Sequence, residues 1–488
     1  MSVLDADGGY FPCGPVFPLV IGVGSLVNGY QISMVVRNVC TKELQEEITR
    51  LFNSYSSDKE PITIDFRSMV SGIKNIDRAT HLLHPYPAKL LLHIPHFFIN
   101  NDILSSKDDF VMDPFAGSGT VLLEAILLKR NSIGADTNPL ARLIATSKVT
   151  KLNKKKIEFY YQYIKSNLNS IDVFHRPDVV NIDYWFSEST IDQLCKLKTT
   201  IFSIEEVIYR NFFLVCLSCC VKRVSYADPR ISVPVRLRKN PYNKTHPLRK
   251  SIDARLASLE NINVFDEFYK TYELNNNRME SFCKLATDGN WAMVPWDDVR
   301  HIELDNNELD KARSFDRGIQ LIITSPPYPG AKKYIRSSSL SLGWLELCQK
   351  NELIDLKHQT IGREEVKIQD ISTLLTGIVV ADEAIKNIYK ISRTRATIVS
   401  DYLKEMDCAL SKMYDILNIG GFLVLVVGNS QISGMEFNTS SYLDMIALDL
   451  GFTPKLKLVD AIRSRGLMTK RNKTANIISR EWVLVYEK

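Results

Sequence analysis

Two short segments of this chain bring together residue types that can do chemistry. The first is D-P-F-A-G-S-G-T at 113–120. Gly117 and Gly119 let the backbone approach a ligand closely after a strand, and the helix N-terminus behind them, at Thr120, favours a polar or anionic group. A dinucleotide-binding turn wants a third glycine, G-x-G-x-x-G, but position 122 is leucine, so a pyrophosphate is disfavoured. Asp136 ends the next strand, where a carboxylate can accept hydrogen bonds from two ribose hydroxyls. The pair suits a nucleoside ligand without a pyrophosphate, and S-adenosyl-L-methionine is the obvious one. The second segment is T-S-P-P-Y at 324–328. Its consecutive prolines fix φ and remove two backbone donors, leaving a rigid turn whose carbonyls have no competing N–H. Ser325, Pro326, Pro327 and Tyr328 can hold a planar base bearing an amino group. The tyrosine ring stacks on the base, while Ser325 Oγ and the Pro326 carbonyl accept the amine hydrogens.

The surrounding pattern supplies the elements that position these segments. Residues 109–149 read as strand, glycine turn, helix, strand and helix, with Pro139 in the first turn of the second helix. This is a βαβ unit, which implies a parallel sheet with a right-handed crossover. I-Q-L-I-I-T at 319–324 is a buried strand by its β-branched content and runs straight into the Ser-Pro-Pro turn. I-L-N-I-G-G-F-L-V-L-V-V-G-N-S reads as a helix end, a Gly-Gly turn and a buried strand, and E-W-V-L-V-Y-E-K as a last strand. Residues 42–52 form a short amphipathic helix within an N-terminal extension, 1–60. Residues 61–150 are the cofactor half of the main domain, 151–285 an inserted, mostly helical region, and 286–488 the catalytic half. The insertion carries a loop, 221–250, with nine Lys/Arg against one Asp and four prolines, which argue against regular structure there.

Composition narrows the class. The 488 residues are 45% hydrophobic and 24% charged, which excludes a wholly disordered or collagen-like chain and gives ample material for a core. The net charge of +5 is too small to decide about nucleic acid, since a local basic surface is what matters. Nine cysteines form no zinc pattern; the L-V-C-L-S-C-C-V cluster reads as buried thiols on a helix. An odd count without a framework fits a reducing compartment. The apolar stretch from Phe17 to Val27 is too short to span a bilayer, and Asp5 and Asp7 replace a basic leader region. A cytoplasmic protein, with no membrane association and no metal, is expected.

These motifs carry a resemblance. The chain resembles the amino-methyltransferases of DNA, which methylate the exocyclic nitrogen of cytosine or adenine. D-P-F-A-G-S-G-T is similar to that family's S-adenosylmethionine motif and S-P-P-Y to its catalytic motif. H-P-Y-P-A-K (84–89), G-A-D-T-N-P-L-A (134–141) and the late G-G-F-L-V-L-V-V-G-N-S also match, so the likeness covers about 61–150 and 290–488 in pieces and leaves 151–285 unmatched. It implies an α/β, Rossmann-like S-adenosylmethionine-dependent methyltransferase fold with a mostly helical insertion. It further implies that Phe115, Gly117, Gly119 and Thr120 line the cofactor, with Asp113 at the strand end, and that Asp136 holds the ribose. His84, Pro85, Tyr86 and Lys89 would close its methionine side. Asp297 or Asp298 would meet the adenine amine, although either is equally suited to cap a helix.

Within the family, serine before P-P-Y usually accompanies cytosine N4, and aspartate or asparagine adenine N6. The expected activity is methyl transfer to cytosine N4 at a specific sequence of double-stranded DNA, in a restriction-modification or defence setting with a cognate restriction endonuclease, or as a solitary enzyme. The rivals are an adenine-N6 enzyme, a methyltransferase of RNA bases or protein glutamine, and a non-catalytic DNA-binding module on the same fold. A base inside a duplex must be flipped out to react. DNA contacts are expected from Arg223, Arg230, Arg236, Arg238 and Lys239 in the basic loop and from Lys332, Lys333 and Arg336 after the catalytic turn. R-S-R-G-L-M-T-K-R-N (463–472) is a third basic stretch. Target recognition falls in 151–285 or in 331–410.

Overall fold

A computed structural model describes residues 41–56, 60–73, 77–87, 89–171, 174–238, 247–304, 318–330, 333–461 and 480–488. Contacts divide the chain into Met1–Arg37, which lies outside these residues, and Asn38–Lys488, to which everything below belongs. The strands are β1 (Ile62–Ile64), β2 (Phe110–Asp113), β3 (Asn131–Ala135), β4 (Ala292–Trp296), β5 (Ile319–Thr324), β6 (Leu417–Val427), β7 (Ser430–Ile432), β8 (Met435–Phe437), β9 (Thr453–Ala461) and β10 (Arg480–Glu487). Eight of them form one sheet in the order β1-β9-β10-β6-β5-β2-β3-β4, and β7 and β8 make a separate hairpin. Every neighbouring pair in the large sheet is parallel except those involving β10, which runs antiparallel to both β9 and β6.

The strand order places the chemistry. From β2 the chain moves outward through β3 to β4 at one edge. It then returns to β5 on the other side of β2. The direction of winding therefore reverses between β2 and β5, and open α/β sheets take ligands outside the carboxyl ends of strands at such a point. The glycine loop follows β2 and the Ser-Pro-Pro turn follows β5, so the fold sets the two motifs side by side. With its parallel core and helices on both faces, this is the expected Rossmann-like α/β architecture.

Alternation along the strands divides the core into two layers. Val111, Leu321, Ile323, Val424, Val426, Val483 and Val485 face helices Thr41–Ser54, His93–Ile99 and Thr120–Leu127. Phe110, Met112, Ile322, Leu423, Leu425 and Leu484 face helices Val379–Ile391, Arg393–Ile416 and Thr439–Asp449. Fully burying each such aliphatic side chain is worth about 1.5–3 kcal/mol. The helix Thr41–Ser54 contributes Leu44, Ile48 and Leu51 to the first layer, so the packed unit reaches back before residue 61.

The insertion has its own core. Helix Val207–Val224 carries the thiols, and its Phe212, Phe213, Cys216 and Cys220 are fully covered by helices Glu188–Phe202 and Val264–Leu285 and by Pro139–Val149 of the main domain. Cys216, Cys219 and Cys220 are free and buried, and burial raises all three thiols, which makes them inert packing groups. Among the described residues no cluster of His, Cys, Asp and Glu could hold a metal, and no helix is long and apolar enough to cross a membrane.

One local expectation is corrected. The Gly-Gly pair does not form a turn ahead of the strand; it lies within β6. Gly420 has φ +74°, and the register to β5 jumps from Ile319↔Leu417 to Leu321↔Phe422. The glycines serve a bulge that realigns the strand while their amide and carbonyl groups bond Lys488 at 2.8 and 3.0 Å. The strand β9 and the hairpin of β7 and β8 had no signal as clear as their neighbours'.

Candidate active site

The glycine loop is held from within the βαβ unit. Gly117 and Gly119 both take positive φ, +50° and +73°, where other residues are strained. A Cβ on Gly119 would stand 2.9 Å from Ala145 Cβ, so this glycine also lets helix Pro139–Val149 come close. The Asp136 carboxylate accepts Gly117 N–H on one oxygen and Asn138 N–H on the other, both at 2.8 Å. Its side chain is partly exposed, and each oxygen keeps a lone pair for a ligand. Loss of hydration raises its pKa to about 6. Asn138 caps the following helix through Leu140 N–H and donates from Nδ2 to the Tyr86 hydroxyl at 3.1 Å and to Ser338 Oγ at 3.0 Å. The Tyr86 ring lies against the loop, 3.7 Å from where a Cβ on Gly117 would stand. Phe115 is partly buried, while Ser118 and Thr120 are buried. Lys148, fully buried, donates to Ser118 Oγ from beneath at 3.3 Å.

The Ser-Pro-Pro turn is tied to this loop directly. Thr324 Oγ1 donates to Asp113 Oδ1 at 2.7 Å, and the same oxygen accepts Phe115 N–H at 3.1 Å. Burial pushes the Asp113 carboxyl up to about 7. Ser325 is partly exposed and its hydroxyl makes no hydrogen bond to the described residues, so it is available to a ligand. Tyr328 is only 8% exposed. Stacking a base on its ring therefore needs part of the ring's cover to shift. Its hydroxyl points to Glu481 Oε1 at 3.5 Å, and burial first, then Glu481, raises the phenol well above 10. Behind the turn, Gly330 N–H donates to the Gly362 carbonyl at 3.1 Å. Gly362 has φ +75°, and a Cβ there would meet the Tyr328 carbonyl at 2.9 Å.

The H-P-Y-P-A-K segment splits in two. Tyr86 faces the glycine loop and Pro85 is exposed, but His84 turns inward. Its Nε2 pairs with Ser218 Oγ at 2.9 Å, which in turn donates to Ser341 Oγ, and burial lowers its pKa to about 3, so the ring is neutral. Lys89 Nζ donates to the carbonyls of His81 and His84 and straps the segment from behind; burial brings its amine down to about 8. His84 and Lys89 thus shape the loop that presents Tyr86. Of the two aspartates after β4, Asp298 caps the turn Val299–His301 and pairs with Arg300, whereas Asp297 is exposed at the strand end, and its charge partly offsets the lowering that burial imposes on Arg142. Trp296 O accepts Asp136 N–H at 3.2 Å, which sets Asp297 next to the ribose candidate in the fold.

Several supporting residues escaped the sequence reading. Glu124 is fully buried on the helix behind the glycine loop, where it takes His81 Nε2 at 2.6 Å, His96 Nδ1 at 2.7 Å and Arg78 at 3.2 Å. Burial would raise this carboxyl, but the two histidine hydrogen bonds and the Arg78 charge outweigh it and hold the group well below the usual range. A lone glutamate in V-L-L-E-A-I-L-L was its only signal. Asn138 had the signal of an Asn-Pro helix start. Gly362 and Glu481 had none.

The basic residues fall into separate groups. Arg230, Arg236, Arg238 and Arg336 line one open cleft of about 550 Å³ together with Tyr184 and Trp185. Arg223 stands apart, donating to Thr271 Oγ1 at 3.1 Å, and Lys333 pairs with Glu364 at 2.7 Å. Lys239, Lys332 and the stretch 463–472 lie outside the described residues.

The chain is similar to known methyltransferases. A family model described as DNA methylase matches residues 35–146. The type II methyltransferase M.MvaI of Kocuria varians is 26% identical over 288 residues, 56% of this chain and 59% of that protein. The type II methyltransferase M.BsoBI of Geobacillus stearothermophilus is 21% identical over 437 residues, 78% of this chain and 81% of that one. The type II methyltransferase M.AvaI of Anabaena variabilis is 22% identical over 379 residues, with 72% and 74% covered. A solved rRNA methyltransferase, aviRa from Streptomyces viridochromogenes, aligns with a TM-score of 0.31 at 9% identity over 87% of this chain and 96% of its own, a likeness too slight to bear on the fold. By its motifs and these matches the chain is similar to the DNA amino-methyltransferases.

Proposed function

We propose that this chain transfers a methyl group from S-adenosyl-L-methionine to the exocyclic N4 amine of cytosine at a specific site in double-stranded DNA. The observation that carries the proposal is the juxtaposition across the switch point. The glycine loop after β2 and the Ser-Pro-Pro-Tyr turn after β5 are joined by the hydrogen bond from Thr324 to Asp113. The donor set fits the cofactor: two glycines at positive φ, the Tyr86 ring beside them and a partly exposed Asp136 with unused lone pairs. Asp136 would hold the ribose and Asp297 the adenine amine. Phe115, Gly117, Gly119 and Tyr86 would line the rest, with Thr120 opening the helix behind the loop.

When bound, the cofactor supplies an electrophilic sulfonium methyl group. The chain's own part is positioning. An aromatic amine is a poor nucleophile because its lone pair is delocalised into the ring. Ser325 Oγ and the Pro326 carbonyl accept its two hydrogens and favour a pyramidal nitrogen, so that orientation and electrostatics supply the rate. A neutral serine acceptor suffices where the amine gains positive charge only transiently. The base must leave the duplex to reach this turn. The cleft of Arg230, Arg236, Arg238 and Arg336 supports contact with the DNA strands. The type II relatives favour a restriction-modification setting, with a cognate endonuclease as the partner.

The test is mass spectrometry of nucleosides from DNA incubated with the protein and deuterated-methyl S-adenosylmethionine. Labelled N4-methylcytosine is the expected product. Labelled N6-methyladenine would overturn the choice of base and keep the rest. No label in any DNA, with the cofactor bound, would favour the non-catalytic DNA-binding module.

A further inference from the structure

We infer that Arg236 reads a guanine in the target sequence, whereas Arg238 and Arg336 in the same cleft hold phosphates. The inference rests on the DNA reading above and sorts residues that composition cannot. Arg236 lies in a short hairpin closed by Asp228 N–H to Val235 O and Leu237 N–H to Tyr226 O, both 2.8 Å. Tyr226 N–H donates to Trp185 O, also at 2.8 Å, which locks the hairpin to the turn that carries Tyr184. The Arg236 guanidinium sits 4.6 Å from the ring centroid of Tyr184 and 4.6 Å from that of Tyr226.

Contact with two rings limits the rotation of the guanidinium and leaves its N–H donors for a ligand. No hydrogen bond or ion pair to the described residues engages those donors. A planar fork so restrained matches the paired acceptors O6 and N7 of guanine, the commonest specific contact in the major groove. Its neighbours differ. Arg230 already spends its fork on Asp228, at 2.9 and 2.7 Å. Arg238 and Arg336 are exposed and unstacked. A mobile cation suits a phosphate, which accepts from many directions and carries no sequence information.

The experiment expresses the full chain in a bacterial host stripped of its own DNA methyltransferases and maps methylated sites by long-read sequencing. Arg236→Ala is expected to methylate sites in which one G·C pair of the wild-type motif is replaced. Its rate at the wild-type site should fall ~10- to ~100-fold, the usual cost of one bidentate base contact. Arg238→Ala should lower methylation at all sites alike and leave the motif unchanged. Tyr184→Leu keeps the charge but frees its plane, so it should relax the same position more weakly. Cofactor affinity, measured by calorimetry, should match the wild type in each variant. An unchanged motif with uniformly lower methylation in Arg236→Ala would make this residue a phosphate contact and overturn the inference. If Arg236→Ala fails to bind the cofactor, Tyr184→Leu decides, and a wild-type motif there overturns it. A wild-type chain that methylates no DNA defeats the functional reading itself, and is told apart by that.

Discussion

The glycine loop and the Ser-Pro-Pro-Tyr turn share one edge of the sheet, yet they are held by different means. The loop draws its support from close by. Asp136 reaches Gly117 across 19 positions, and Asn138 and Ala145 belong to the helix that follows. The turn is held from far away. Asp113 meets Thr324 across 211 positions, Glu481 meets Tyr328 across 153, and Gly362 closes the back. A locally built loop stands or falls with its βαβ unit. A turn assembled from three distant pieces can be displaced while the sheet stays folded. Damage to the first should therefore appear in stability, and damage to the second in turnover.

Substitutions can break that contrast. Gly119→Ala should have the largest effect, because its Cβ would lie 2.9 Å from Ala145 Cβ at φ +73°. Overpacking and a left-handed backbone together should cost about 3 kcal/mol in urea unfolding. A fully stable variant with only slower turnover would erase the distinction. Gly362→Ala should act chiefly on the turn, since its Cβ would press on the Tyr328 carbonyl, with a left-handed strain of about 1–2 kcal/mol in unfolding beside it. The expected result is about a tenfold loss in kcat, roughly 1.4 kcal/mol, with cofactor affinity kept. Loss of cofactor binding in that variant would show the two motifs to be one mechanical unit.

Titration adds a slope. Asp113 joins the two regions, and its folded pKa of about 7 lies above its ordinary value of 3.8. The folded state thus holds a proton that the unfolded state has released, so stability falls as pH rises from about 4 to about 7 and then levels off. Asp136, at about 6, adds to the same trend. Asp113→Asn keeps an acceptor oxygen for Thr324 and Phe115 but removes the titration. Unfolding curves from pH 4.5 to 8 should be flatter for the variant, and relatively more stable at the alkaline end. An unchanged slope would mean that the carboxyl ionises in the fold as it does in the open chain.

The same division between near and far decided what could be read from residues alone. In 109–149, glycines, an Asn-Pro helix start and short apolar runs act over a few positions, and each element there appeared where its pattern put it. The Gly-Gly pair misled because a glycine at positive φ serves a turn and a bulge equally, and only pairing with β5 selects the bulge. Asp297 and Asp298 were interchangeable by type; the fold made one a cap and left the other open beside Asp136. His84 matched the expected segment but packs inward against Ser218 of the insertion.

Sequence by itself determined the parallel α/β core, the two chemical motifs and their likeness to DNA amino-methyltransferases. Those features depend on backbone conformation and residue type, which are local properties. Tertiary structure alone decided that the motifs meet through Thr324 and Asp113, that Glu124 gathers His81, His96 and Arg78, and that four arginines share one cleft. It also decided which arginine is stacked and which is free. Those depend on groups far apart in the chain, and a side chain's hydration, charge and freedom follow from its neighbours in space.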